Sequence, residues 1–128
     1  MNAPVSAVAG LPRMLLKAEG FALFAICVFA YWKLGVTWWL FAVLILAPDL
    51  TMIGYLAGPR FGAHLYNAGH ITVMPLILGF AGLYTDSVVA MAAALVWLAH
   101  IGIDRMLGFG LKFETAFSDT HLGRIGKS

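Results

Sequence analysis

Charge is scarce in this chain, and polar stretches are scarcer still. Only 11% of its 128 residues are Asp, Glu, Lys or Arg, against 62% hydrophobic residues, a balance far outside that of a soluble domain. A formal charge of +2 is too weak to draw nucleic acid, so no nucleic-acid partner is expected. Cysteine is nearly absent as well. Cys27 stands alone, which rules out an intrachain disulfide, gives no sign of an oxidising compartment and leaves the thiol a packing role in an apolar run. The chain also lacks a phosphate-binding glycine loop, zinc-finger spacing and a nucleophile elbow.

What is present is apolar sequence in long runs, at about residues 14–32, 37–56, 61–83 and 87–107, each near the roughly 20 residues needed to cross the hydrocarbon of a bilayer. Lipid supplies no backbone partners, so all four are expected to be helices. The first run is too long for a signal-peptide core and no small-residue cleavage site follows it, so it should remain as a membrane helix. Breakers and polar residues mark the joints: Lys33 to Gly35, Gly58-Pro59-Arg60, and Tyr84-Thr85-Asp86. After Gly108 the chain turns polar. The sequence therefore predicts an all-α fold: one domain over residues 1–128, an integral membrane four-helix bundle with a cytoplasmic C-terminal tail at 108–128.

The cations set the orientation. Arg13, Lys17, Arg60, Arg105, Lys112, Arg124 and Lys127 fall on one side of that topology and only Lys33 on the other, and short cytoplasmic loops are the ones that retain Lys and Arg. Both termini are thus expected in the cytoplasm, with the chain multi-pass in a bacterial inner (plasma) membrane and in contact with its lipids. Tyr31, Trp32, Trp38, Trp39 and Tyr84 collect at the outer interface, where amphipathic rings are favoured.

Against this background three carboxylates are out of place. Glu19, Asp49 and Asp104 interrupt apolar runs, as do His70 and His100. Insertion into lipid costs about 2.5–3.5 kcal/mol for a central Asp and less near the ends. Because successive helices run in opposite directions, all five residues, with His64 and Asn67, fall in the cytoplasmic half of the bundle. His100 and Asp104 are four residues apart and Asn67 and His70 three, so each pair shares a helix face. Helix bundles build metal sites from carboxylates and imidazoles placed in this way. The expected ligands are His70, His100, Asp104 and Asp49, with Asp49 either a further ligand or the base that activates water. The metal is a divalent transition ion, and zinc, iron and manganese all suit the donor set. Glu19 is an auxiliary catalytic candidate. Asn67 and His121 are candidates for holding a cofactor, and Tyr66 and Trp97 for orienting a ligand.

Plainer readings stand beside these. Glu19 could pair with Lys17 or Arg60 at the interface, and Asp104 could snorkel with Arg105. Asp49 follows Pro48, which cannot donate to Leu44, and its carboxylate could cap that break. Pro75 should free the carbonyl of Ile71 and bend the third helix near His70. Gly54, Gly58 and Gly62 recur at four-residue spacing, a face that permits close helix approach and so a homo-oligomer. The tail carries Phe113, Phe117 and the group Asp119-Thr120-His121, an aromatic content that favours docking as a lid over a free terminus.

The stretch APDLTMIGYLAGPR at 47–60, continuing to YNAGH at 66–70, resembles a signature of a family of small bacterial inner-membrane proteins known as a domain of unknown function. WLAHIGIDR at 97–105 and DTHLG at 119–123 resemble that family's other signatures, and the likeness runs through nearly the whole chain from about Leu15. It implies the membrane fold and brings no reaction with it. The chemistry alone points to a metal-dependent hydrolase acting on a lipid or other amphipathic substrate at the cytoplasmic leaflet. A haem-binding redox protein, with His70 and His100 as axial ligands, is the first alternative. A small proton- or ion-linked transporter using the same polar residues as a relay is the second.

Overall fold

The computed structural model describes residues 6–125; Lys127 and the last residues of the expected tail lie outside the described residues. The chain is mainly helical: α1 (Gly10–Leu34), α2 (Trp38–Leu44), a 3-10 helix (Ala47–Ala57), α3 (Pro59–His70), α4 (Val73–Tyr84) and α5 (Val88–Met106). A two-residue-per-strand hairpin, β1 (Asp119–Thr120) with β2 (Gly123–Arg124), follows in the tail. Three segments, Gly10–Leu34, Trp38–Ala57 and Val88–Met106, are long and apolar enough to cross a membrane. Large apolar side chains such as Leu50, Leu56 and Phe80 cover the outer faces. Both features fit a membrane protein.

Two of the four expected helices are broken, each for a reason written in proline. Pro48 has no N–H, so the second run leaves α-geometry after Leu44 and continues as a 3-10 helix, a form that rarely runs beyond three or four residues. The third run, expected to be continuous over 61–83, divides at Ile71, which is extended at φ −91° and ψ 139°. Pro75 cannot donate to the Ile71 carbonyl, and α4 starts afresh at Val73. Irregular backbone at membrane depth is tolerated where it is enclosed by protein, and both breaks face α5.

The centre of the molecule is α5, which packs against α1, α4, α2 and the 3-10 helix. Its small residues allow this crowding. A Cβ on Gly102 would lie 2.7 Å from the Gly20 carbonyl, and one on Gly20 would lie 2.7 Å from the Gly102 carbonyl. The α1 and α5 backbones therefore touch directly. On one flank Cys27, Leu98 and Ala99 are buried together, and nearer the Trp-rich end Tyr31 packs with Ala92 and Val96. The 3-10 helix lies on α3. The close approach is at Gly69, where a Cβ would stand 2.6 Å from Thr51 Cγ2, and this proximity brings the next residue, His70, against Asp49.

The tail folds back on the helices. Asn67 grips it with both ends of its amide, donating from Nδ2 to the Lys112 carbonyl at 2.9 Å and accepting the Lys112 N–H at 2.6 Å. Arg13 donates to the Leu122 carbonyl at 2.6 Å, and Val8 N–H to the His121 carbonyl at 2.7 Å. Leu122 is fully buried as a result.

Candidate metal centre

Four side chains from three elements meet where the broken second run, the end of α3 and the last turns of α5 converge. Asp49 comes from the first turn of the 3-10 helix, His70 from the last residue of α3, and His100 and Asp104 from one face of α5. One ligand atom from each lies within 4.8 Å of every other. The Asp49 carboxylate is 3.1 Å from the Nε2 atoms of both His70 and His100, and those two nitrogens are 3.3 Å apart. Asp104 Oδ2 stands 3.1 Å from His100 Nε2 and 3.5 Å from His70 Nε2. A metal with bonds of about 2.0–2.1 Å to four tetrahedral ligands would space those ligands about 3.3–3.4 Å apart. The five separations bracket that value.

The second nitrogen of each imidazole decides what the first can do. His70 Nδ1 lies 2.8 Å from the Tyr66 carbonyl, and His100 Nδ1 makes a short hydrogen bond to the Ile45 carbonyl. A carbonyl only accepts, so each Nδ1 carries the proton, and in the neutral ring each Nε2 presents a lone pair inward. Metal-bound histidines are held by the same outer hydrogen bond. The chain prepares both acceptors. Asp49 N–H bonds to the Leu46 carbonyl and Pro48 has no N–H, which leaves the Ile45 carbonyl to His100. Tyr66 also stacks its ring on His70, with centroids 3.7 Å apart and 7° between planes.

Other carbonyls at the α3 terminus are taken by α5. Trp97 Nε1 donates to the Gly69 carbonyl at 2.7 Å and Arg105 Nη2 to the His70 carbonyl at 3.2 Å. These bonds satisfy the open helix end and hold His70 in position. Trp97 thus supports backbone next to the centre. His70 and His100 are almost wholly buried, whereas the Asp104 side chain is 16% exposed and that of Asp49 34%. The centre opens on its carboxylate side.

The structure brings together Asp49, His70, His100 and Asp104 and leaves the other candidates apart. Glu19 is exposed on α1 and borders a different cavity, shared with Thr72 and Arg105. Asn67 holds the tail. His121 Nδ1 accepts the Leu111 N–H at 2.8 Å; burial, and then the Arg105 guanidinium, push its pKa below the usual histidine value. His64 donates to Glu114 at 2.6 Å, and Arg60 joins the same carboxylate at 3.1 Å. The His64 bond, with help from the Arg60 charge, holds the Glu114 carboxyl below its usual range.

One residue gains a role that its sequence position did not suggest. Lys112, read above only as a topology-setting cation, is 5% exposed. Its ammonium lies 3.8 Å from the centroid of the Phe117 ring and 4.7 Å from that of Tyr66, and has no hydrogen-bond partner among the described residues. Burial lowers its pKa to about 8 against the opposing pull of Asp104 and Asp49. The available signal was a lysine amid Phe109, Phe113 and Phe117, too common a pattern to single out.

A family model described as a domain of unknown function (DUF4260) matches residues 13–125. No curated protein and no solved structure matches the chain. The match spans most of the sequence, and the chain belongs to that family.

Proposed function

We propose that the chain is a metal-dependent membrane hydrolase, with His70, His100 and Asp104 as ligands of a divalent transition metal and Asp49 as a fourth ligand or as the base. One observation carries this reading: one ligand atom from each of two imidazoles and two carboxylates converges within 4.8 Å of all the others, at the spacing of ligands around a single ion. With neutral rings and ionised carboxylates these groups repel one another unless a cation lies between them, and two carboxylates balance the charge of a divalent ion. Zinc, iron and manganese all accept such donors.

Asp49 is the most open of the four, so it is placed to take a proton from an attacking water. The water oxygen bonds to the electrophilic atom of an ester, the ester bond breaks, and the departing alcohol recovers the proton. Glu19 stands outside this arrangement. A haem is less suited to the centre. Two axial nitrogens on one iron lie about 4 Å apart across the porphyrin plane, whereas His70 and His100 place theirs at 3.3 Å with carboxylates crowded against them.

The setting we infer is a bacterial inner membrane, with both termini and the tail cytoplasmic and the helices packed as a bundle in lipid. Support comes from the cations: Arg13, Arg60 and Arg105 all lie at the tail's end of the helices, through Leu122, Glu114 and the α3 terminus, while Lys33 sits at the other end beside Trp32. An amphipathic substrate suits the surroundings, because an apolar cavity of about 230 Å³ borders Pro48 and Gly69 and is lined by Leu44, Leu78 and Trp97.

Elemental analysis of protein purified in mild detergent tests the reading. About one metal ion per chain is expected in wild type, falling to less than a tenth of that in His70→Ala and His100→Ala. Wild-type protein without metal, unchanged in stability by a chelator, would sink it.

A further inference from the structure

The carboxylate side of the centre opens into a cavity of about 210 Å³ lined by Asp49, Tyr66, Asp104, Phe109, Lys112 and Phe117. Among the described residues Lys112 is the only cation of that lining, and its buried ammonium has no hydrogen-bond acceptor there. An ammonium hydrogen-bonds strongly, and leaving it dry and unpaired is costly. The two aromatic faces return only part of that cost. Nothing at the helix ends explains the residue either, because Asn67 binds the Lys112 backbone and would hold the tail with any side chain at this position. A second buried donor without a partner among the described residues, the Tyr55 hydroxyl, belongs to the ring that meets Phe117 edge-on at 5.1 Å.

Charge completes the argument. With a divalent ion in place, Asp49 and Asp104 are neutralised and Lys112 leaves the cavity with one net positive charge. The cavity is too small for a whole lipid and suits a compact polar group. We infer that Lys112 is the oxyanion-binding residue of this site, receiving an anionic phosphate-type group of the substrate beside the metal. This inference rests on the metal centre proposed above and narrows its substrate to amphipathic phosphate esters or their products.

The test titrates zinc-loaded protein in mild detergent with inorganic phosphate and, separately, with a short-chain phosphatidic acid, measuring heat of binding and metal content together. Wild type should bind at least one of the two. Binding of phosphate alone identifies a free-phosphate site, and binding of the short-chain lipid alone a headgroup site. Lys112→Met should keep its metal and lose about tenfold to a hundredfold in affinity, while Lys112→Arg, which keeps the charge, should recover a large part. Equal affinity in wild type and Lys112→Met at equal metal content, or no binding of either ligand, overturns the Lys112 assignment alone. Absence of metal from wild type overturns the metal centre, and this inference with it.

Discussion

His121 shows how much a single side chain's direction matters. Its sequence context suggested a group reaching back to the site, but the ring turns to the tail's own backbone and accepts the Leu111 N–H through Nδ1. Protonation there removes the acceptor. Since the folded-state pKa lies below the unfolded value of about 6.5, folding favours the neutral ring. Its contribution to docking is complete above about pH 6.5 and declines as pH falls through that value toward the depressed one. Hydrogen exchange should therefore report a lower protection factor at the Leu111 amide near pH 5 than near pH 7.5, and the difference should vanish in His121→Asn. An unchanged protection factor in the native protein would show that the tail is held elsewhere.

The cluster was legible residue by residue because charged and polar side chains are costly in apolar surroundings and need partners there. Asp49, His70, His100 and Asp104 stand out against apolar sequence, and a four-residue spacing aims two of them together. Glu19 stood out equally, yet it sits on an exposed position of α1 and lines a different cavity. Lys112 was hidden by the same logic in reverse, since a cation in a polar tail violates nothing. Only its burial against Tyr66 and Phe117 reveals it.

Among the elements, the informative ones are those that fail to be regular. The α1 and α5 spans could be drawn from hydropathy to within a few residues, and Pro75 announced a disturbance after His70. The length of the 3-10 segment was not legible, because it depends on packing against α3 through Gly54 and Gly69 and on the contacts made from α5. Pro48 gives this irregularity a use: it keeps the Ile45 carbonyl available to His100. In Pro48→Ala a new N–H competes for that carbonyl, loosening the outer hydrogen bond that orients the imidazole. Loss of such a bond typically weakens metal affinity by about 10–100-fold. Competition with a coloured chelator should show that loss while circular dichroism shows helix content equal to or above that of wild type. Affinity equal to that of wild type would mean that the Ile45 contact is dispensable.

At the scale of the whole molecule, polarity is divided between two ends. The Trp-rich end carries rings and one lysine, and the other end carries the remaining described cations, the centre and the folded tail. This division makes the orientation testable. Ser118→Cys, in the tail, should be inaccessible to a membrane-impermeant maleimide in intact cells and should react after the membrane is opened. Trp39→Cys, on an exposed position at the far end, should react before it. The reverse pattern would invert the proposed topology and place the centre on the outer side.

The docked tail has a consequence for assembly. Asp49 and His70 belong to the middle of the chain, His100 and Asp104 to its last helix, and Lys112 follows all of them. During synthesis the two carboxylates and two imidazoles can meet only after α5 has been made, and the cavity gains its cationic wall only when the tail emerges. An ion arriving early would find an incomplete chelate, and one arriving late would have to enter through the cavity that the docked tail lines. If the proposed centre holds an ion, the interval between those events is the natural window for loading, and supply of the ion and completion of the chain would then be coupled in time.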